Sequence, residues 1–288
     1  MYPGKYAEQN PDRSAFVMAA TGERVSYQEF EARSNRVAHY LADKGLGFQD
    51  HYSIFMENNN RYLESCAAGE RSGLYFTCIN SFLTSDELAY IINNSESQIL
   101  ITSMSKLEAA QEALAQCTAI KEVLVVGAGD ADLPEGMSDF ASTLSKYPET
   151  PLERELLGAA MLYSSGTTGR PKGIVRPLPE QSPNEPLPVI GFLSGLWRYR
   201  EDMIYLSPAP LYHSAPQAAV GLTLRMGGTV VIMERFDPAD YLRFVEEYQV
   251  SHSQLVPTMF SRMLKMPEED RTKYDLSSLE VAVHAAAP

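Results

Sequence analysis

The chain is poor in cysteine, tryptophan and positive charge. Its 288 residues include three Cys, one Trp and 24 Lys plus Arg against 37 Asp plus Glu, for a formal net charge of -13. Cys66, Cys78 and Cys117 are odd in number and show no C-x-x-C spacing. A structural zinc site and a disulfide framework are therefore unsupported, and a reduced, cytoplasmic setting is expected. A broad nucleic-acid footprint needs a basic stripe, which a pI near 4.9 argues against. Any anionic ligand must be held locally. The opening MYPGKYAEQNPDRSAF lacks the apolar core of a signal peptide, and no run approaches the roughly 18 apolar residues of a membrane span. A soluble protein without a transmembrane segment is the expectation.

What is present is an alternation of short apolar runs with amphipathic stretches, the pattern of a parallel α/β architecture. Ser26 and Glu29 stand at capping-box spacing before Phe30, Val37, Ala38 and Leu41, and Gly45 ends that helix. A strand at about 52–56, a helix at about 60–72 and a strand near 74–79 follow, and Thr84 with Glu87 repeats the capping box. QILIT and KEVLVV read as buried strands flanking a helix that carries Leu107, Ala110 and Leu114. AAMLY, MIYLS, TVVIM, SQLV and LEVAV are the strands of the second half, and Asp237 with Pro238 opens the helix PADYLRFVEEYQ. The expected division is an N-terminal α/β subdomain over 1–160 and a second over 161–288. Between Arg176 and Pro188, prolines at 177, 179, 183, 186 and 188 exclude a regular helix or central strand, leaving a surface loop or a lid.

The segment YSSGTTGRPKG, residues 163–173, is the chemical centre of the sequence. Gly166, Gly169 and Gly173 allow backbone N–H groups to converge on an anion. Ser164, Ser165, Thr167 and Thr168 add hydroxyls, and Lys172 brings a mobile full charge suited to a phosphate chain. The spacing is not a Walker loop, because Pro171 stands five positions after Gly166 and Gly173 follows the lysine. GAGDAD at 127–132 lacks the third glycine of a dinucleotide loop, and GFLSG places Ser194 one position too late for a nucleophile elbow.

YSSGTTGRPKG resembles the phosphate loop of the adenylate-forming enzymes, the superfamily of acyl-CoA synthetases, luciferases and peptide-synthetase adenylation domains. SYQEFEARSNRVAHYL, PLYHSAP, LVPTMF and HAAAP resemble further segments of that superfamily in its order, so the resemblance covers essentially the whole chain. It implies the N-terminal domain of these enzymes, with mixed, mainly parallel sheets flanked by helices. It also implies an AMP-forming acid–CoA ligase that uses ATP, Mg2+ and coenzyme A to convert a carboxylic acid first to an acyl-adenylate and then to a thioester. Ser164, Ser165, Gly166, Thr167, Thr168, Gly169 and Lys172 would hold the phosphates, with Thr167 near the magnesium. Ala286, Ala287 and Pro288 would flank the adenine. His213 would stand with Lys172 among the catalytic residues, and Trp197, Tyr212, His213 and His284 would border a pocket for a fatty or other apolar acid.

The resemblance also carries a departure. Family members continue past HAAAP with a Glu-bearing motif, a ribose-binding aspartate, a hinge and a small C-terminal domain with a catalytic lysine, none of which occurs in this sequence. The expectation is an N-terminal portion, incomplete at the C-terminus and weakly active or inactive alone. A non-catalytic nucleotide-binding module and an adenylation enzyme with a different acceptor remain as alternatives, and homo-oligomerisation is left open.

Overall fold

The computed structural model describes residues 1–164 and 170–284. In chain order its strands are β1 (Ser14–Met18), β2 (Arg24–Ser26), β3 (His51–Phe55), β4 (Tyr75–Cys78), β5 (Ile99–Ser103), β6 (Glu122–Val126) and β7 (Met137–Asp139), then β8 (Ala159–Ala160), β9 (Leu162–Ser164), β10 (Lys172–Ile174), β11 (Ile204–Ser207), β12 (Thr229–Ile232), β13 (His252–Leu255) and β14 (Val281–His284). Helices fill most of the intervals, as the alternating pattern requires. Both expected capping boxes form. The Ser26 N–H donates to Glu29 at 2.9 Å and the Glu29 N–H to Ser26 at 3.1 Å, starting helix Tyr27–Asp43. Thr84 and Glu87 exchange the same pair of bonds at the head of helix Ser85–Asn94. Asp237 caps helix Pro238–Glu247, with Pro238 in its first turn.

The chain divides into two compact units. One comprises Tyr2 and residues 30–185, the other Met1, residues 3–29 and residues 186–288. This differs from a boundary at 160/161, for a physical reason at each end. β1 pairs in parallel with β12, Phe16 opposite Val230, so the N-terminal segment completes a sheet made from the last third of the chain. The segment after residue 160 stays with residues 30–160: Tyr75 donates its hydroxyl to the Arg176 carbonyl at 2.6 Å, and the Leu157 N–H donates to the Gln181 carbonyl at 2.8 Å. Leu178 is buried with Tyr75 and Met161. The proline-rich stretch is a largely exposed loop, as expected, anchored to this unit at Arg176, Leu178 and Gln181.

In the unit of residues 30–185 the strand order is β7-β6-β5-β3-β4-β8, all parallel. β5 is buried along its whole length, in keeping with a parallel sheet covered on both faces. The other unit has the order β14-β13-β11-β12-β1-β2, parallel except for the β1–β2 pair. The expected strand AAMLY is broken. Ala159–Ala160 ends the large sheet, whereas Leu162–Ser164 leaves it to pair antiparallel with β10 in a separate two-stranded ribbon. No described helix is long and apolar enough to cross a membrane.

Candidate functional site

The ribbon β9–β10 carries the phosphate-loop sequence. Its register places Lys172 opposite Ser164, Gly173 opposite Tyr163 and Ile174 opposite Leu162. The hairpin therefore holds the lysine at the start of the outgoing strand, beside the last residue of the incoming one. Ser165, Gly166, Thr167, Thr168 and Gly169 lie outside the described residues, as do Ala286, Ala287 and Pro288. Lys172 is exposed, and among the described residues no carboxylate pairs with it. An exposed, un-neutralised ammonium held by backbone pairing suits an incoming polyanion. Gly173 permits the close packing of the ribbon: a Cβ there would collide with the Met161 terminal methyl and come within 3.1 Å of the Tyr163 ring.

Magnesium poses a different question of fit. Among the described residues no group of three or more His, Cys, Asp or Glu could hold a metal ion. Mg2+ retains waters and binds largely through substrate phosphates, so an ion arriving with a nucleotide needs few protein ligands. The described residues are compatible with that mode.

The remaining expected residues lie in the other unit. His213 is the N-cap residue of helix Ser214–Arg225, with extended backbone (φ -77°, ψ 143°) and no side-chain capping bond. Its imidazole is freed from capping and exposed, and its ring centroid lies 4.3 Å from that of Tyr212. Surrounding protein lowers its proton affinity below the ordinary histidine value, so the ring is neutral at pH 7 and offers one N–H. Trp197 ends helix Pro188–Trp197, its ring edge-on to buried Tyr199 at 6.0 Å. The Trp197 carbonyl meets Nε2 of His252 at 3.1 Å, and Nδ1 of His252 meets the Ser251 hydroxyl at 2.8 Å. His252 is thus a satisfied core histidine. His284 closes β14, exposed, against the edge of Phe260 at 5.6 Å. Tyr212 and His213 are brought together; the described contacts of Trp197 and His284 are with other partners.

Sequence reading did not single out Tyr90, Asn94, Tyr163 or Arg170. Tyr163 donates its hydroxyl to Asn94 Oδ1 at 2.7 Å, Tyr90 donates to the Pro171 carbonyl at 3.1 Å, and the Arg170 guanidinium lies 5.2 Å from the Tyr90 ring centre. The only signal was that Tyr90 and Asn94 stand four apart on a well-capped helix, hence on one face. Nothing local pairs that face with a ribbon some 70 residues later.

Comparison with known proteins adds an independent line. The profile of the AMP-binding enzyme family matches residues 5–288. The chain is 28% identical to 4-coumarate–CoA ligase 1 of Petroselinum crispum over 96% of its own length and 50% of that protein's. It is also 28% identical to a medium/long-chain-fatty-acid–CoA/3-oxocholest-4-en-26-oate–CoA ligase of Mycolicibacterium smegmatis, over 96% and 53% of the two chains. The ATP-bound crystal structure of MatB from Rhodopseudomonas palustris superposes with a TM-score of 0.76 at 26% identity, over all of this chain and 56% of that one. The chain spans about half the length of the curated relatives it matches.

Proposed function

The chain belongs to the AMP-binding enzyme family, and from that premise we propose that it serves in ATP-dependent activation of a carboxylic acid to an acyl-adenylate and then to an acyl-CoA. The observation that carries this reading is Lys172, exposed and un-neutralised on the outgoing strand of a hairpin directly opposite Ser164. In the first step a carboxylate oxygen attacks the α-phosphorus of ATP, the bond to the bridging oxygen breaks, and pyrophosphate leaves. Both reactants are anions, so the barrier is electrostatic before it is anything else. Lys172 and the loop from Ser164 to Gly169 hold the β- and γ-phosphates and stabilise the charge that builds on the leaving group. Thr167 would stand near a magnesium ion arriving with the nucleotide, which would supply further charge neutralisation. His213, neutral at pH 7, donates its N–H to a carboxylate or phosphate oxygen and orients the nucleophile. In the second step the thiolate of coenzyme A attacks the acyl carbon and AMP departs. Ala286, Ala287 and Pro288 flank the adenine in this reading, and the enzyme works in the cytoplasm, where ATP and coenzyme A are supplied.

The acid is apolar: fatty, aryl or steroid-like. Trp197, Tyr212 and His284 are the candidate walls, and the similarity to ligases named for 4-coumarate and for fatty and cholestenoic acids supports that class. The test is carboxylate-dependent ATP–pyrophosphate exchange across fatty, aryl and amino acids, run on this chain and on the chain extended through its reading frame. Exchange with an apolar acid is expected in the extended protein. Silence in both, in folded protein that still binds ATP, would replace the ligase reading by a nucleotide-binding module.

A further inference from the structure

We propose that Tyr90 and Asn94, on one face of helix Ser85–Asn94, act as a two-point clamp that positions the lysine-bearing hairpin for the phosphate chain of ATP. The inference rests on the adenylation reading for its purpose but on geometry for its existence. The clamp grips both arms of the ribbon. On the incoming arm the Tyr163 hydroxyl donates to Asn94 Oδ1 at 2.7 Å; on the outgoing arm the Tyr90 hydroxyl donates to the Pro171 carbonyl at 3.1 Å. The Pro171 carbonyl and the Lys172 N–H belong to one planar peptide unit. A hydrogen bond that fixes the carbonyl therefore fixes the plane from which Lys172 departs. Tyr163 is the cross-strand partner of Gly173, so the Asn94 contact steadies the residue on the other side of the lysine as well.

Two further features suit the clamp to an anion. Arg170 is held over the Tyr90 ring at 5.2 Å, a contact that orients the guanidinium without cancelling its charge as a carboxylate would. Asp86 and Glu87 line the same cleft of about 540 Å3, yet neither forms an ion pair with Arg170 among the described residues. Burial pushes the Tyr163 hydroxyl up from its ordinary value, which keeps it protonated as a donor to Asn94. A ribbon of three-residue strands has too few backbone bonds to be rigid alone. The helix supplies the missing constraint through side chains one turn apart.

The experiment pairs two readouts on Tyr90→Phe, which keeps the ring under Arg170, and on Asn94→Leu and Asn94→Asp, of which only Asp retains an acceptor. Hydrogen exchange of the nucleotide-free chain reads the clamp itself: amides of Lys172–Ile174 should exchange about three- to tenfold faster in Tyr90→Phe and Asn94→Leu, with Asn94→Asp close to wild type. Unchanged exchange in both would overturn the clamp. Calorimetric titration with ATP and with AMP reads its purpose: ATP affinity should fall about three- to tenfold while AMP affinity holds. Equal losses for both nucleotides, or none for ATP, would overturn the positioning role. If the wild-type chain binds neither nucleotide, the same titrations on the chain extended through its reading frame decide the positioning role; no ATP binding there overturns the adenylation reading, and the exchange data still decide whether the clamp exists.

Discussion

Two cationic clusters in the unit of residues 30–185 use the same chemistry to opposite ends. Arg71 is fully buried, paired with Glu31 at 2.5 Å and Glu155 at 2.7 Å, bonded to the Ser34 hydroxyl at 2.7 Å and stacked over the Tyr2 ring. Tyr2 in turn donates to Glu155 at 2.7 Å. Every strong donor on that guanidinium is answered within the protein, so its charge serves architecture. Lys172 and Arg170 are exposed, steadied by backbone pairing and an aromatic face, and no described carboxylate answers them. Neutralised charge ties elements together, and un-neutralised charge held in place is what the proposed phosphate site requires.

The sharpest way to break that contrast is to remove each cation in turn. Arg71→Ala leaves Glu31 and Glu155 half-buried without their counter-ion and should cost about 3–5 kcal/mol of stability in urea denaturation. Any folded fraction should still bind ATP. Lys172→Ala should do the reverse, lowering ATP affinity by about ten- to a hundredfold in calorimetry while moving stability by no more than about 0.5 kcal/mol. If Lys172→Ala unfolds the protein, or Arg71→Ala leaves its stability intact, the division between architecture and ligand site is wrong.

A subtler change attacks the scaffold of the exposed cluster. Gly173→Ala puts a methyl group against the terminal methyl of Met161, which must swing aside, and within 3.1 Å of the Tyr163 ring on the facing strand, which must give by a few tenths of an ångström. We expect a loss of about 1 kcal/mol from overpacking, concentrated in the ribbon, so that ATP affinity falls with it. Wild-type ATP binding in Gly173→Ala would mean that the ribbon need not close for the lysine to act.

How much of this was legible beforehand differs by region. The capping boxes at Ser26 and Thr84, the buried strands and the parallel α/β class were readable because each depends on a few consecutive residues. The compact units do not divide at 160, because β1 finds its partner β12 more than 200 residues away, and pairing at that separation leaves no local mark. The phosphate-loop motif was readable as a motif, but its setting was not. Nothing in AAMLY indicates that Met161 is where the chain leaves one sheet for another, and nothing in Tyr90 or Asn94 announces Pro171 or Tyr163.

Glu64 offers the smallest effect and the most direct measure of what burial does to charge in this unit. It sits between Arg61 at 3.3 Å and Arg33 at 3.9 Å with its side chain 2% exposed, yet burial outweighs both partners and pushes the carboxyl up to about 7. The folded state therefore holds this proton more tightly than the unfolded chain, whose carboxyl titrates near the ordinary 4.5. The sign follows: its contribution to stability is greatest below about pH 4.5, declines as the pH rises, and is lost above about pH 7. Glu64→Gln cannot ionise, so urea denaturation at pH 5 and pH 6 should show wild type losing roughly 1 kcal/mol more than the variant between those values. Parallel losses would mean that the two arginines keep Glu64 ionised throughout, and that buried charge in this unit is held by pairing alone, as it is at Arg71.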